Sequence, residues 1–225
     1  MKDYRIIVSS EEIQDRVREL AQQISNDYAG KNPLLITLLK GAFIFLADLV
    51  RHLTIPHEID FITLSSYRNG LQRSGEVKVI NHLRSSTEDR DIIIIDGIVD
   101  TGHTLSQLIK ILSRSHIRSI RVCALLDKRS TREVDVQVHY TGFTIPDIFV
   151  VGYGLDYKEQ HRNISYIAEL TSNAKSYDES AELNRSEMPM RKNREKRESV
   201  IASMGGDPDS TGHRPGYPYM KEPDS

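Results

Sequence analysis

Two carboxylates, a glycine and two threonines follow a run of four isoleucines in Asp91-Ile-Ile-Ile-Ile-Asp96-Gly-Ile-Val-Asp100-Thr-Gly-His-Thr104. Carboxylates accept protons and hold cations, threonine hydroxyls donate hydrogen bonds, and a glycine lets backbone N–H groups approach an anion. The isoleucine run has the β-branched, two-sided apolar character of a central parallel strand. Leu105, Leu108, Ile109 and Leu112 then recur at helical spacing. The polar residues therefore fall at the carboxyl end of a strand and the start of a helix. Open α/β sheets bind ligands there, and the helix dipole favours an anion. The plainer reading of the same residues is a solvated strand-to-helix turn with Thr101 or Thr104 as its cap.

The elements that must position this loop can be read along the chain. Ser9 and Glu12 have capping-box spacing, and Ile13, Val17, Leu20, Ala21, Ile24 and Tyr28 follow on one helical face. Gly30 is placed to end that helix in a left-handed cap. Leu34 to Leu39 reads as a buried strand, and Phe43, Leu46, Ala47 and Val50 as a helix. Ile59 to Leu64, Glu76 to Ile80 and Ser119 to Leu126 read as further strands, with shorter ones and a Pro146 turn between Tyr140 and Gly154. This alternation predicts an α/β protein with a mostly parallel sheet flanked by helices.

The chain has 225 residues, enough for one well-buried domain plus extensions, and its formal net charge of −2 gives no argument for a nucleic-acid or membrane partner. Cys123, the single cysteine, lies in an apolar run and reads as a small core residue in a reducing compartment. No His/Cys cluster has zinc spacing. The first residues lack the apolar core of a signal peptide and no apolar run reaches membrane-spanning length, so the expected location is the cytoplasm. Residues 1–172 are read as the folded domain. Residues 173–225 are read as a polar, disordered C-terminal tail, with at most a transient helix near Glu187 to Met204.

Asp96-Gly-Ile-Val-Asp-Thr-Gly-His-Thr-Leu105 resembles the phosphoribosyl diphosphate loop of type I phosphoribosyltransferases. Further blocks resemble the hypoxanthine-guanine branch of that family, in the same order. They are Leu39-Lys-Gly41, Ser65-Ser-Tyr67 with Ser74-Gly-Glu-Val77, Leu126-Asp-Lys128, and Ile145-Pro-Asp-Ile-Phe-Val-Val-Gly-Tyr-Gly-Leu-Asp-Tyr157. The likeness implies the type I fold with a small hood region. It implies transfer of ribose 5-phosphate from phosphoribosyl diphosphate to hypoxanthine or guanine, releasing diphosphate. It also implies a magnesium ion and a homo-oligomer, dimer or tetramer.

Residue by residue, the resemblance assigns the 5-phosphate to Asp100, Thr101, Gly102, His103 and Thr104, with His103 acting through its backbone. Asp100 is the implied general base for a purine nitrogen, with a helix cap as its structural alternative. Lys40, Gly41 and Arg162 are implied for the diphosphate, and the Leu39–Lys40 bond is a candidate non-proline cis peptide. Asp156 is the implied direct magnesium ligand, with Asp96 acting through water. Lys128 would donate to the 6-oxo group, Phe149 would stack on the base unless it is plain core, and the Val150 backbone would read the base edge. Ser66 and Tyr67 would begin a lid, or else a long hairpin connection.

The chief departure is at the start of the loop. Asp96 stands where the family has the first of two acids, usually glutamate, and Gly97 where the second is expected. Lost hydrogen bonds to a ribose hydroxyl would cost about 1–3 kcal/mol if nothing replaced them. On that view Gly97→Asp restores an acidic pair. The same glycine favours a competing reading, a regulatory relative that binds phosphoribosyl diphosphate or a nucleotide with reduced or no turnover. A nucleotide-responsive RNA-binding regulator is a third reading, opposed by the near-neutral charge.

Overall fold

The computed structural model describes residues 4–66, 77–79 and 83–170. Its elements run β1 (Tyr4–Val8), α1 (Ser10–Asp27), β2 (Leu34–Leu38), α2 (Phe43–His52), β3 (Glu58–Ile62), β4 (Leu64–Ser66), β5 (Val77–Val79), β6 (Asp91–Val99), α3 (His103–Leu112), β7 (Ser119–Asp127), β8 (Tyr140–Thr144), β9 (Val150–Val151) and β10 (Ile167–Leu170). Five strands form one sheet in the order β3-β2-β6-β7-β8, parallel throughout. Their carboxyl ends therefore open along one edge, and the Leu39–Gly41, Asp100–Thr104, Lys128 and Ile145–Tyr157 segments follow β2, β6, β7 and β8 there.

The isoleucine run is buried on both faces, and the pleat divides it between two cores. Ile93 and Ile95 face one layer together with Leu35, Cys123 and Leu125. Ile92 and Ile94 face the other with Leu34, Ile36, Val122 and Ala124. α1 and α2 fill the first layer through Ile13, Val17, Leu20, Phe45 and Leu49. α3 fills the second through Leu105, Leu108 and Leu112. Each fully buried side chain of this size contributes about 1.5–3 kcal/mol, so the two layers fix β6 and its loop firmly. Cys123 belongs to the first layer, and burial pushes its thiol up.

The Ser9–Glu12 capping box is present, with Ser9 Oγ accepting from Glu12 N at 3.2 Å and Glu12 Oε2 accepting from Ser9 N at 2.8 Å. Helix α1 ends at Asp27 with Tyr28 as its cap. Gly30 adopts the left-handed angle (φ 73°) two residues later, in the loop and not at the helix end. The strand read across Ile59 to Leu64 divides into β3 and β4, and β4 pairs antiparallel with β5. Asp60 anchors the edge strand β3. Its carboxylate accepts from Phe61 N (2.8 Å), Arg84 N (2.6 Å) and Ser85 N (2.8 Å). A second, antiparallel sheet, β1-β10-β9, corresponds to the expected small hood region. Residues 173–225, where the tail is expected, lie outside the described residues, as do residues 171–172 and Tyr67.

Candidate active site

The loop after β6 meets α3 without a side-chain cap. Gly102 occupies the cap position in the left-handed region (φ 89°), and no side chain bonds to the first turn. Neither Thr101 nor Thr104 caps the helix, and Asp100 does not either. A Cβ on Gly102 would lie 2.6 Å from Val134 O and 2.9 Å from Arg132 Cδ, so only glycine fits. The loop is pinned from the other side by Thr101 O, which accepts from Glu133 N and Val134 N at 3.0 Å each. The first N–H groups of α3 are thus left without a capping side chain at the positive end of a helix dipole, as an anion site requires. Thr104 is exposed beside them, and the exposed His103 ring lies 2.9 Å from Glu133 Oε2.

Asp100 and Lys128 are 28 positions apart in sequence, but the parallel pairing of β6 and β7 brings them together. Lys128 Nζ lies 3.7 Å from Asp100 Oδ2 and 3.5 Å from Asp147 Oδ1. The lysine side chain is 8% exposed, whereas its carboxylate partners are 51% and 70% exposed. Its ammonium is therefore delivered from the protein interior to a wet rim. Asp100 is held by two further contacts. The Thr131 hydroxyl donates to Oδ1, and Arg132 Nε donates to the Asp100 carbonyl at 3.0 Å. Buried Asp127, the last residue of β7, holds Arg132 and Arg129 in place. Phe149 is exposed and not core, with its ring packed edge-on against Tyr157 at 5.7 Å between centroids. Val150, the first residue of β9, is buried in register with Glu169.

A second group gathers around Arg162. Its guanidinium donates to Gly154 O at 2.9 Å, lies 2.8 Å from Asp156 Oδ1 and 3.2 Å from Glu159 Oε2. The Lys40 ammonium reaches the same Glu159 oxygen at 2.8 Å. The Leu39–Lys40 peptide bond is cis. Leu39, Lys40, Phe43, Phe61, Glu159 and Arg162 line a cavity of about 580 Å³; Asp100 and Lys128 do not border it. Sequence reasoning missed Glu159. The Lys40 and Arg162 contacts hold its carboxyl below the usual range. The available signal was an acid three residues after Asp156 and three before Arg162, a spacing that matters only because this segment doubles back through positive φ at Lys158, Glu159 and His161.

Asp96 lies near the carboxyl end of β6, in register with Ala124 of β7. It is half-buried, accepts from Ile98 N at 3.4 Å, and has no ion-pair partner among the described residues. Burial pushes its carboxyl up to about 6, against the N–H groups of Ile98 and Gly97 that favour the charged form. A half-buried carboxylate without a counterion fits a divalent cation. Asp156 supplies a second carboxylate, whose Oδ2 accepts from Glu159 N at 2.9 Å. Among the described residues no three His, Cys, Asp or Glu side chains converge into a site of their own. The donor set thus suits an ion that draws most of its ligands from substrate oxygens and water, as magnesium does. Ser66 ends β4 in register with Val77, and the Tyr67 part of the expected lid lies outside the described residues.

The phosphoribosyl transferase domain family matches residues 4–158. The hypoxanthine-guanine phosphoribosyltransferase of Bacillus subtilis is 46% identical over 166 residues, covering 74% of this chain and 92% of that protein. A bifunctional protein TilS/HprT of Listeria monocytogenes is 43% identical over 163 residues, covering 72% of this chain; the chain spans only 25% of that protein's length. Among solved structures, a hypoxanthine phosphoribosyltransferase from Staphylococcus aureus superposes with a TM-score of 0.73 at 40% identity, covering 75% of this chain and 92% of that one.

Proposed function

This chain belongs to the phosphoribosyltransferase family, in its hypoxanthine-guanine branch, and we propose that it moves the 5-phosphoribosyl group of phosphoribosyl diphosphate to hypoxanthine or guanine in purine salvage. The bond from ribose C1 to the diphosphate oxygen breaks, a bond from C1 to a purine nitrogen forms, and diphosphate leaves with the electron pair. The purine gives up one proton. The observation that carries the reading is the pair formed by half-exposed Asp100 and buried Lys128, 3.7 Å apart beside an uncapped helix start.

Each group has one task. The α3 N-terminus with Thr101, Gly102, His103 and Thr104 binds the 5-phosphate. Asp100 takes the purine proton, its carboxylate held in place by Lys128 and the Thr131 hydroxyl. Lys128 donates to the 6-oxo group and so disfavours adenine, whose exocyclic amine offers a donor in the same place. Phe149 stacks on the base, and the Val150 backbone reads its edge. Lys40, Gly41 and Arg162 receive the diphosphate in place of the Glu159 carboxylate that occupies both cations here. Asp156 and, through water, Asp96 would hold the magnesium ion, which when bound neutralises charge on the leaving diphosphate. Ser66 and Tyr67 begin a lid that excludes water.

Domain limits of 1–172, a homo-oligomeric assembly and a cytoplasmic location complete the proposal; no described helix is long and apolar enough to cross a membrane. A diphosphate-release assay with magnesium, phosphoribosyl diphosphate and each of hypoxanthine, guanine, xanthine and adenine tests it. Release is expected with hypoxanthine and guanine and not with adenine. Tight binding of phosphoribosyl diphosphate without release for any purine would favour the regulatory reading instead.

A further inference from the structure

A glycine where the family expects an acid looks like a loss, but the packing around Gly97 gives it a positive role. A Cβ built on Gly97 would lie 2.8 Å from Gly41 O and 3.2 Å from the Gly41 carbonyl carbon. Both are backbone atoms, which cannot swing aside as a side chain can. Gly97 is not in the left-handed region, so its type is set by this approach and not by its backbone angles. Gly154 (φ 99°) meets the same carbonyl, its Cβ position 2.4 Å from the Gly41 oxygen. Leu155 Cδ2 closes the junction, 3.3 Å from the Gly97 Cβ position and 3.6 Å from that of Gly41. Among the described residues no N–H or side-chain donor reaches the Gly41 oxygen.

We propose that Gly97 is a positioning residue: its bare Cα is the seat for the Gly41 carbonyl, and it sets the spacing between the diphosphate loop and the acidic loop that follows β6. Three segments meet at this one carbonyl, namely Lys40–Gly41, Asp96–Asp100 and Gly154–Asp156. Arg162 is tied to the same junction because its guanidinium donates to Gly154 O at 2.9 Å. With the Gly41 carbonyl seated as it is here, a Cβ at position 97 lies 2.8 Å from its oxygen, so a side chain there requires this junction to shift, and Lys40–Gly41 with it. Restoring an acid at 97 therefore adds a carboxylate and dismantles the cradle for the diphosphate. On this geometry Gly97→Asp is expected to disturb the diphosphate side and not to repair the site. The inference rests on the phosphoribosyl-transfer reading above.

Gly97→Ala and Gly97→Asp test it, measured as steady-state kinetics in both substrates, inhibition by inorganic diphosphate, and thermal melting. Overpacking against backbone should raise both the KM for phosphoribosyl diphosphate and the diphosphate inhibition constant roughly tenfold or more in each variant. The KM for hypoxanthine and the saturated kcat should stay within about threefold, a split that general destabilisation does not produce. Adding Leu155→Ala to Gly97→Ala should leave the defect in place, because the obstacle is the Gly41 carbonyl. An unchanged or lowered KM for phosphoribosyl diphosphate in either variant, or rescue by Leu155→Ala, overturns the inference. Should the variants fail to fold, a crystal structure of the wild type decides: a Gly41 carbonyl clear of the Gly97 Cβ position overturns it. A wild type that turns over normally beside unaffected variants sinks the inference alone. A wild type that neither binds phosphoribosyl diphosphate nor releases diphosphate sinks the reading beneath it.

Discussion

Replacing Lys128 by methionine isolates the step that chooses the base. The lysine stem is buried and its ammonium sits between Asp100 and Asp147, at 3.7 and 3.5 Å. Methionine keeps most of the stem's volume and removes only the charged donor. The two carboxylates left behind are 51% and 70% exposed, so water takes over their solvation and no buried charge is stranded. A charged hydrogen bond to a 6-oxo group contributes about 1.5–3 kcal/mol, which is about 10- to 150-fold in kcat/KM for hypoxanthine. Initial rates with hypoxanthine varied at saturating phosphoribosyl diphosphate read that loss. Rates with phosphoribosyl diphosphate varied read the control, which should move less than about threefold because Lys40 and Arg162 lie in the other group. The melting temperature should shift by no more than a few degrees. An undiminished kcat/KM for hypoxanthine would refute the assignment of Lys128. Equal losses for both substrates would show that the variant has disturbed the loop after β6 and not one hydrogen bond.

Other perturbations probe the remaining groups. Asp100→Asn should cut turnover by about two to four orders of magnitude while binding of phosphoribosyl diphosphate, followed by calorimetry, persists; unchanged turnover removes Asp100 as the base. Glu159→Gln frees Lys40 and Arg162 from a competing carboxylate, so the KM for phosphoribosyl diphosphate should fall several-fold at low ionic strength. That advantage should shrink at about 1 M salt, where the Debye length is about 3 Å, and a raised KM at low salt would mean that Glu159 assists binding. At Asp60 burial pushes the carboxyl up, but the N–H groups of Ser85, Phe61 and Arg84 outweigh it and hold the pKa below the usual carboxylate value. Such a group stabilises the fold above its unfolded pKa of about 4 and loses that contribution as the pH falls through the lower folded value. Asp60→Asn should therefore lower the melting temperature at pH 7 and flatten its decline in acid, as read by thermal melts across that range. Deleting residues 178–225 should leave activity intact, and a loss would show that the tail supports the catalytic domain or its assembly.

The placement of the loop after β6 is legible in the sequence because its signals are local. The isoleucine run, the Asp100–Thr104 loop and the helical spacing of Leu105, Leu108 and Leu112 lie within one stretch of chain, and the fold uses them in that order. The Ser9–Glu12 box is local as well. What escaped depends on distant partners. β1 and β10 carry little pattern of their own and exist through pairing across the length of the domain, Tyr4 with Leu170 and Arg5 with Glu169. Glu159 acquires meaning only when Lys40 arrives from 119 positions away. Gly97 reads in the sequence as a missing carboxylate, because a sequence does not disclose that the Gly41 carbonyl lies against it. Phe149 left open a choice between core and surface, which a single aromatic residue cannot settle without its neighbours.

The enclosure of Cys123 has a practical corollary. The only sulfhydryl in the chain is sealed beneath two helices and held in its unreactive protonated form. The native protein should therefore ignore maleimide and iodoacetamide reagents and need no added reductant in storage. A cysteine engineered onto the surface would then be the sole attachment point for a fluorophore or spin label, so conformational changes on substrate binding could be followed without first deleting a native thiol.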